Sequence, residues 1–143
     1  MVKKNNFLLW SHYSNSHKGF CIGFNSKKLF RQAQGQLGGV TYSKNFPTFK
    51  LFDDAIFFFI KYAFYKASIW NFEEEFSLMI SQIPGKVMKL NSEIFEEIIL
   101  GNKMKQTVKF EIIALVKTNF PGIRIYDTIL DKNKFELNLI QIY

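Results

Sequence analysis

The spacing of apolar residues changes period several times along the chain, and the changes mark out elements. Phe7–Tyr13 is a short amphipathic piece. Gly19–Phe24 reads Gly-Phe-Cys-Ile-Gly-Phe, a continuous apolar run of strand length with glycines where backbones approach closely. Asn25 and Ser26 are N-cap residue types, and they predict a helix to about Gln34, broken by Gly35, Gly38 and Gly39. Val40–Ser43 is β-favouring and predicts a strand. Pro47 marks a loop over Asn45–Lys50.

Asp53 or Asp54 then opens a helix to about Ser68. Its broad apolar face carries Phe52, Ile56, Phe59, Ile60, Ala63 and Phe64. A helix apolar nearly all round is expected at the centre of a core. Residues 73–80 predict a strand, Pro84-Gly85 a turn, and Val87–Leu90 a further strand. Asn91 or Ser92, followed by Glu93, Glu96 and Glu97, predicts a capped helix over Glu93–Leu100 ended by Gly101. A helix is expected over Thr107–Thr118. An antiparallel pair, Ile123–Ile129 and Phe135–Ile142, closes the chain around Asp131-Lys132-Asn133. This irregular order predicts an α+β fold: one domain over residues 1–143, with a mixed, mostly antiparallel sheet packed against a central apolar helix and further helices.

Composition changes the picture in two places. Aromatic residues make up 17% of the 143 residues, and 17 of them are Phe. So many rings need partners on several sides, and rings left exposed favour association. The net charge of +7 comes almost wholly from scattered Lys, with Arg31 and Arg124 the only arginines. Arg is the usual reader of phosphates and base edges, so nucleic-acid binding is expected to be weak at most. A solvated Lys surface is the simpler account. Cys21 is a lone cysteine, which suits a reducing cytoplasm. The most hydrophobic stretch, Ala55–Ile60, is too short and too closely flanked by charge to span a bilayer. The expectation is therefore a cytoplasmic chain without a membrane partner.

Two segments carry candidate chemistry. Trp10-Ser11-His12-Tyr13 is followed closely by His17, and these are the two histidines of the chain. Two His can begin a metal site, but no third ligand stands nearby, so no metal is expected. Hydrogen bonding at a turn before the strand is the plainer role. In the second segment, Lys66–Glu75, a strand would place Glu73 and Glu75 on one face, with Glu74 opposite. Paired carboxylates repel, and one of them can titrate high, which suits acid/base work. From spacing alone, a solvated strand edge is the simpler account. Trp70 beside the acids is either a stacking platform or core. Cys21, inside an apolar strand, is a poor thiolate nucleophile.

These same segments resemble the bacterial domain-of-unknown-function family 2971. The resemblance rests on Leu9–Tyr13 with His17–Phe24, on Val40-Thr41-Tyr42-Ser43, and on Lys66–Glu75. Ile98–Gly101, Tyr126 and Phe135-Glu136-Leu137 complete it. Two departures stand out. Family members usually open with a further Tyr-rich strand and an Asn-Asp-Pro-like segment, absent before Trp10. They also usually carry Arg just after the second Glu, where Phe76 and Ser77 follow Glu75 here. The resemblance thus implies a truncated or remodelled member, with a homodimer or a partner protein expected to cover the edge so left open. It also implies settings of phage defence and, more distantly, an analogy with ADP-ribosyltransferases, which place a catalytic Glu beside a cleft for NAD. By that analogy Glu73 and Glu75 are catalytic, NAD is the cofactor, and His12, Tyr13 and Trp70 bind substrate. Three readings follow: an NAD- or nucleotide-directed enzyme or its inactive remnant, a non-catalytic interaction module, and a weak nucleic-acid binder.

Overall fold

A computed structural model describes residues 4–48, 50–52, 54–80 and 87–143 of the chain. The class is α+β, with a mixed, mostly antiparallel main sheet. The chain divides into two compact units, a sheet unit over Lys4–Gln32 and Met88–Tyr143 and a cleft unit over Ala33–Val87.

In the sheet unit, β1 (Phe20–Phe24), β6 (Phe95–Leu100), β7 (Arg124–Leu130) and β8 (Leu137–Gln141) form one four-stranded sheet in that order. β6 and β7 run parallel, joined through helix α4 (Gln106–Asn119), while the outer pairs are antiparallel. Side chains alternate along β6, so Ile98 and Leu100 face one way and Ile99 the other. Ile98 and Leu100 pack with Met104, Val116, Ile123 and Ile125 under α4. Ile99 packs with Leu137 and with Trp10 of helix α1 (Phe7–Tyr13). The sheet is therefore covered on both faces. Asn6 caps α1, its side chain accepting from the Leu8 and Leu9 amides. Helix α2 (Ser26–Ala33) starts after Asn25, whose side chain accepts from the Lys28 amide at 3.0 Å. Gly101 ends β6 where a Cβ would lie 2.2 Å from the His17 carbonyl oxygen, a backbone approach open only to glycine.

The segment expected as a helix over Glu93–Leu100 is a 3-10 turn (Ser92–Ile94) followed by β6. The acidic cap signature is present, but Ile98, Ile99 and Leu100 are buried on both faces between two neighbouring strands. A short apolar run of that kind reads alike as buried helix or central strand. Val87–Leu90 forms no strand, and the Pro84-Gly85 turn lies outside the described residues.

The cleft unit contains β2 (Gln36–Gly39) paired antiparallel with β5 (Phe76–Met79), and β3 (Thr41–Ser43) paired parallel with β4 (Tyr65–Ala67). Between β3 and β4 runs α3 (Ala55–Ala63), capped by Asp54, whose side chain accepts from the Ile56 and Phe57 amides. Asp53, the alternative cap, lies outside the described residues. The helix expected at the centre of the core is shorter than its apolar pattern, and no residue of it is buried. Phe59, placed on its core face, is 73% exposed. The ladders of this unit are two strands wide, too narrow to cover a helix that is apolar all round. The central helix-on-sheet packing is made by α4 instead. No helix among the described residues is long and apolar enough to cross a membrane.

Candidate functional site

The acidic segment does not form the continuous strand that its residues suggest. Ser68–Glu73 is a 3-10 helix, Glu74 takes a left-handed conformation at φ 46°, and β5 begins only at Phe76. This tight turn still brings Glu73 and Glu75 together, and the hub is Lys66 on β4. Its Nζ donates to Glu73 Oε2 at 2.6 Å and to Glu75 Oε2 at 2.5 Å. Ser77 Oγ donates to the other oxygen of Glu75. The Glu75 amide donates to the Tyr42 hydroxyl at 2.9 Å, tying the turn to β3.

The two carboxylates differ in access. The side chain of Glu73 is 4% exposed and that of Glu75 is 32% exposed. Glu73 therefore anchors the ammonium from below, and Glu75 is the carboxylate that a solute can reach. At Glu75 the raised carboxyl pKa expected from mutual repulsion is not found. Burial pushes the Glu75 carboxyl up, but the hydrogen bonds from Lys66 and Ser77 and the charge of Lys66 outweigh it, so its pKa lies below the usual value. Lys66 is moved up, because two carboxylate hydrogen bonds outweigh its desolvation. The ammonium between the acids turns their repulsion into attraction. Both Lys66 and Glu75 are charged at neutral pH.

Lys66 also lines a cleft of about 100 Å³ together with Ser43, Lys44, Phe46, Pro47 and Tyr62. The ion-pair cluster thus adjoins an aromatic, Lys-bearing hollow. Trp70 stands on the 3-10 helix against Phe72, at 5.9 Å between ring centroids. The rings lining this cleft come from α3, β4 and the loop after β3.

His12 and Tyr13 lie in the sheet unit, at the end of α1, and Tyr13 is 65% exposed. Trp70, Glu73 and Glu75 lie in the cleft unit. His17 is buried at the end of three consecutive left-handed residues, Asn15, Ser16 and His17. Its Nε2 lies 2.8 Å from Ser11 Oγ and its ring packs on Phe7. Desolvation, then the charge of Lys103, lowers its pKa, which keeps it neutral. This is a hydrogen-bonding role at the turn before β1. Among the described residues no group of three or more His, Cys, Asp or Glu is placed to hold a metal. Partial burial and then Glu97 raise the Cys21 pKa, which disfavours its thiolate.

Sequence reasoning found Glu73 and Glu75 but missed Lys66, Tyr42 and Ser77 as their partners. Lys66 and Tyr42 both fall in segments already singled out, so an acid pair with a Lys a few residues upstream was the available signal.

The segments from Leu9 to Glu75 that carry this geometry fall inside one family profile, described as protein of unknown function (DUF2971), which matches residues 9–117. The chain belongs to that family. No curated protein and no solved structure matches it. The match takes in most of α1, the whole cleft unit, β6 and most of α4, and so includes every residue of the Lys66 cluster.

Proposed function

We propose that the cleft unit is the site of an NAD- or nucleotide-directed enzyme of ADP-ribosyltransferase-like chemistry, with Glu75 as its catalytic carboxylate. The observation that carries this reading is the convergence of Glu73 and Glu75 on Lys66 at the wall of an aromatic cleft. In such a reaction the bond between nicotinamide and ribose breaks with its electron pair leaving on nicotinamide, which departs neutral. An acceptor oxygen, from water or a hydroxyl, bonds to the anomeric carbon and releases its proton to solvent. Positive charge builds on the sugar in between. A carboxylate held ionised by a neighbouring cation suits the stabilisation of that charge, and accepts from a ribose hydroxyl. It is a weak base, so its role is electrostatic. Glu73 positions Lys66, and Lys66 positions Glu75. Trp70 remains a candidate substrate-binding residue of this reading, while His12 and Tyr13 belong to the sheet unit and form no part of it. A cytoplasmic location, and a place in phage defence, belong to it as well.

Release of nicotinamide from NAD, with water as acceptor, tests the proposal. The expected result is turnover by the wild-type chain that falls by about 100-fold or more in Glu75→Gln, the range for removing one charge-stabilising group. Turnover unchanged in Glu75→Gln sinks the assignment of the site, and no turnover by the wild-type chain with NAD sinks the activity.

A second reading is favoured by a separate observation. Phe57, Phe59 and Ile56 of α3 are each at least 70% exposed. An apolar helix left this open suits a non-catalytic module that pairs with a second copy or another protein. Light scattering across a concentration series separates the two: growth in mass that Phe57→Ser abolishes supports the module.

A further inference from the structure

Glu75 is held through its backbone as well as through its carboxylate. Its amide donates to the Tyr42 hydroxyl at 2.9 Å, and its carbonyl accepts from the Val40 amide at 2.9 Å. Both partners come from residues 40–42, where β3 begins. Val40 holds the peptide that leaves Glu75, and Tyr42 holds the peptide that enters it. The entering peptide follows Glu74, whose left-handed conformation at φ 46° is unfavourable for any residue with a Cβ. Such a conformation persists only where its surroundings over-determine it. The Glu74 amide reaches back to the Asn71 carbonyl at 3.3 Å, and the next amide is the one that Tyr42 receives.

Strand geometry brings Tyr42 to this turn. In the parallel β3–β4 ladder Tyr42 is in register with Lys66. Side chains alternate along a strand, and residues in register share a face. Tyr42 and Lys66 therefore meet Glu75 from one face of the ladder, with Thr41 on the other. Lys66 takes the carboxylate and Tyr42 takes the backbone.

We propose that Tyr42 is a positioning residue for Glu75: its hydroxyl fixes the peptide between Glu74 and Glu75, and so sets where the carboxylate stands relative to Lys66 and Ser77. This rests on the reading of Glu75 as the catalytic carboxylate for its bearing on a reaction. The positioning itself is a property of the turn and can be measured without turnover.

Tyr42→Phe keeps the ring and removes only the acceptor. The readout is the Glu75 carboxyl resonance, followed by carbon-13 NMR through an acid titration of the full chain. Lys66 and Ser77 hold this carboxyl below its usual range, so a carboxylate that drifts from them titrates higher. In Tyr42→Phe the midpoint is expected to move up toward the ordinary 4.5. Thr41→Ala, at an exposed position of the same strand, is the control and should leave the midpoint in place. A merely structural Tyr42 would lower stability without moving it. An unmoved midpoint in Tyr42→Phe, or an equal movement in Thr41→Ala, overturns the proposal. If Tyr42→Phe does not fold, amide exchange in the unaltered chain decides. A protected Glu75 amide supports the hydrogen bond, and one that exchanges as an open chain does overturns it. With NAD, Tyr42→Phe should lower kcat by about 10-fold or more and leave KM unchanged, because the charge is kept and only its placement is lost. A moved midpoint in a chain that releases no nicotinamide leaves the positioning standing and removes the enzyme reading, so the two failures are distinguishable.

Discussion

The sheet unit builds a buried apolar core and the cleft unit does not. Of the eleven buried hydrophobic residues among those described, ten lie in the sheet unit and only Ala33 lies in the cleft unit. The cleft unit exposes Phe46, Leu51, Phe52, Ile56, Phe57 and Phe59 with no buried core beneath them, whereas the sheet unit, which also exposes Tyr13, Phe110 and Phe135, has one. The best-organised interior feature of the cleft unit is instead ionic, Lys66 held between two carboxylates. A parallel β6–β7 pair covered on both faces is a stable scaffold. Short ladders joined by turns are where binding groups are commonly displayed. The contrast teaches that hydrophobicity along this chain does not track burial. Burial is reached only where a wide sheet exists to receive it, and even there side chains such as Phe110 and Phe135 stay exposed.

The largest effect expected from this contrast is in core truncation. Leu100→Ala removes a fully buried side chain and should cost about 2–5 kcal/mol. Phe57→Ala, at a 70% exposed position, should stay within about 0.5 kcal/mol. Urea denaturation of both variants checks this. A Phe57→Ala cost equal to that of Leu100→Ala would erase the distinction between the units.

Next in size is the ion-pair hub. Lys66→Met removes the cation that Glu73 and Glu75 share. Because the Lys66 side chain is about one-third exposed, the cost is put at about 1–3 kcal/mol, below that of breaking a fully buried pair. The loss should be local. Amide hydrogen exchange should quicken at β3 and β4, while β6 and β7 keep their protection. Uniform loss across both units would contradict a hub confined to one of them.

The smallest effect is the pH dependence of the cleft unit. Glu75 titrates below its ordinary 4.5 when folded, so its contribution is fully present above that value and is lost as the pH falls through the lower folded pKa. Lys66 titrates above its ordinary 10.5, so its contribution is present below 10.5 and is lost as the pH rises through the higher folded pKa. Exchange protection at β3 and β4 should be flat between these limits and fall at both ends. Lys66→Met should flatten both ends.

How far the sequence reaches follows the same division. The β7–β8 pair was readable because Asp131-Lys132-Asn133 announces its turn, and the Asp131 side chain accepts from the Asn133 and Lys134 amides. α4 was readable from its apolar spacing and α2 from its Asn25 cap. β6 was misread because acidic residues before an apolar run look like a helix start. The burial that makes it a central strand comes from neighbours distant in sequence. The apolar pattern of α3 correctly marks a helix but misplaces it, since periodicity says which side chains prefer cover and not whether cover exists. Glu73 and Glu75 were found as a pair through a strand that is not there. Their real convergence depends on the left-handed Glu74 and on Lys66, which spacing alone does not encode.

The claim that the cleft unit binds the substrate and the sheet unit supports it is tested most directly by titrating NAD into the amide-labelled chain and following its NMR spectrum. The account predicts shifts concentrated at residues 43–47, 62–67 and 73–77, with the strands β6, β7 and β8 unmoved. Shifts confined to that sheet, or none at millimolar NAD, would contradict it.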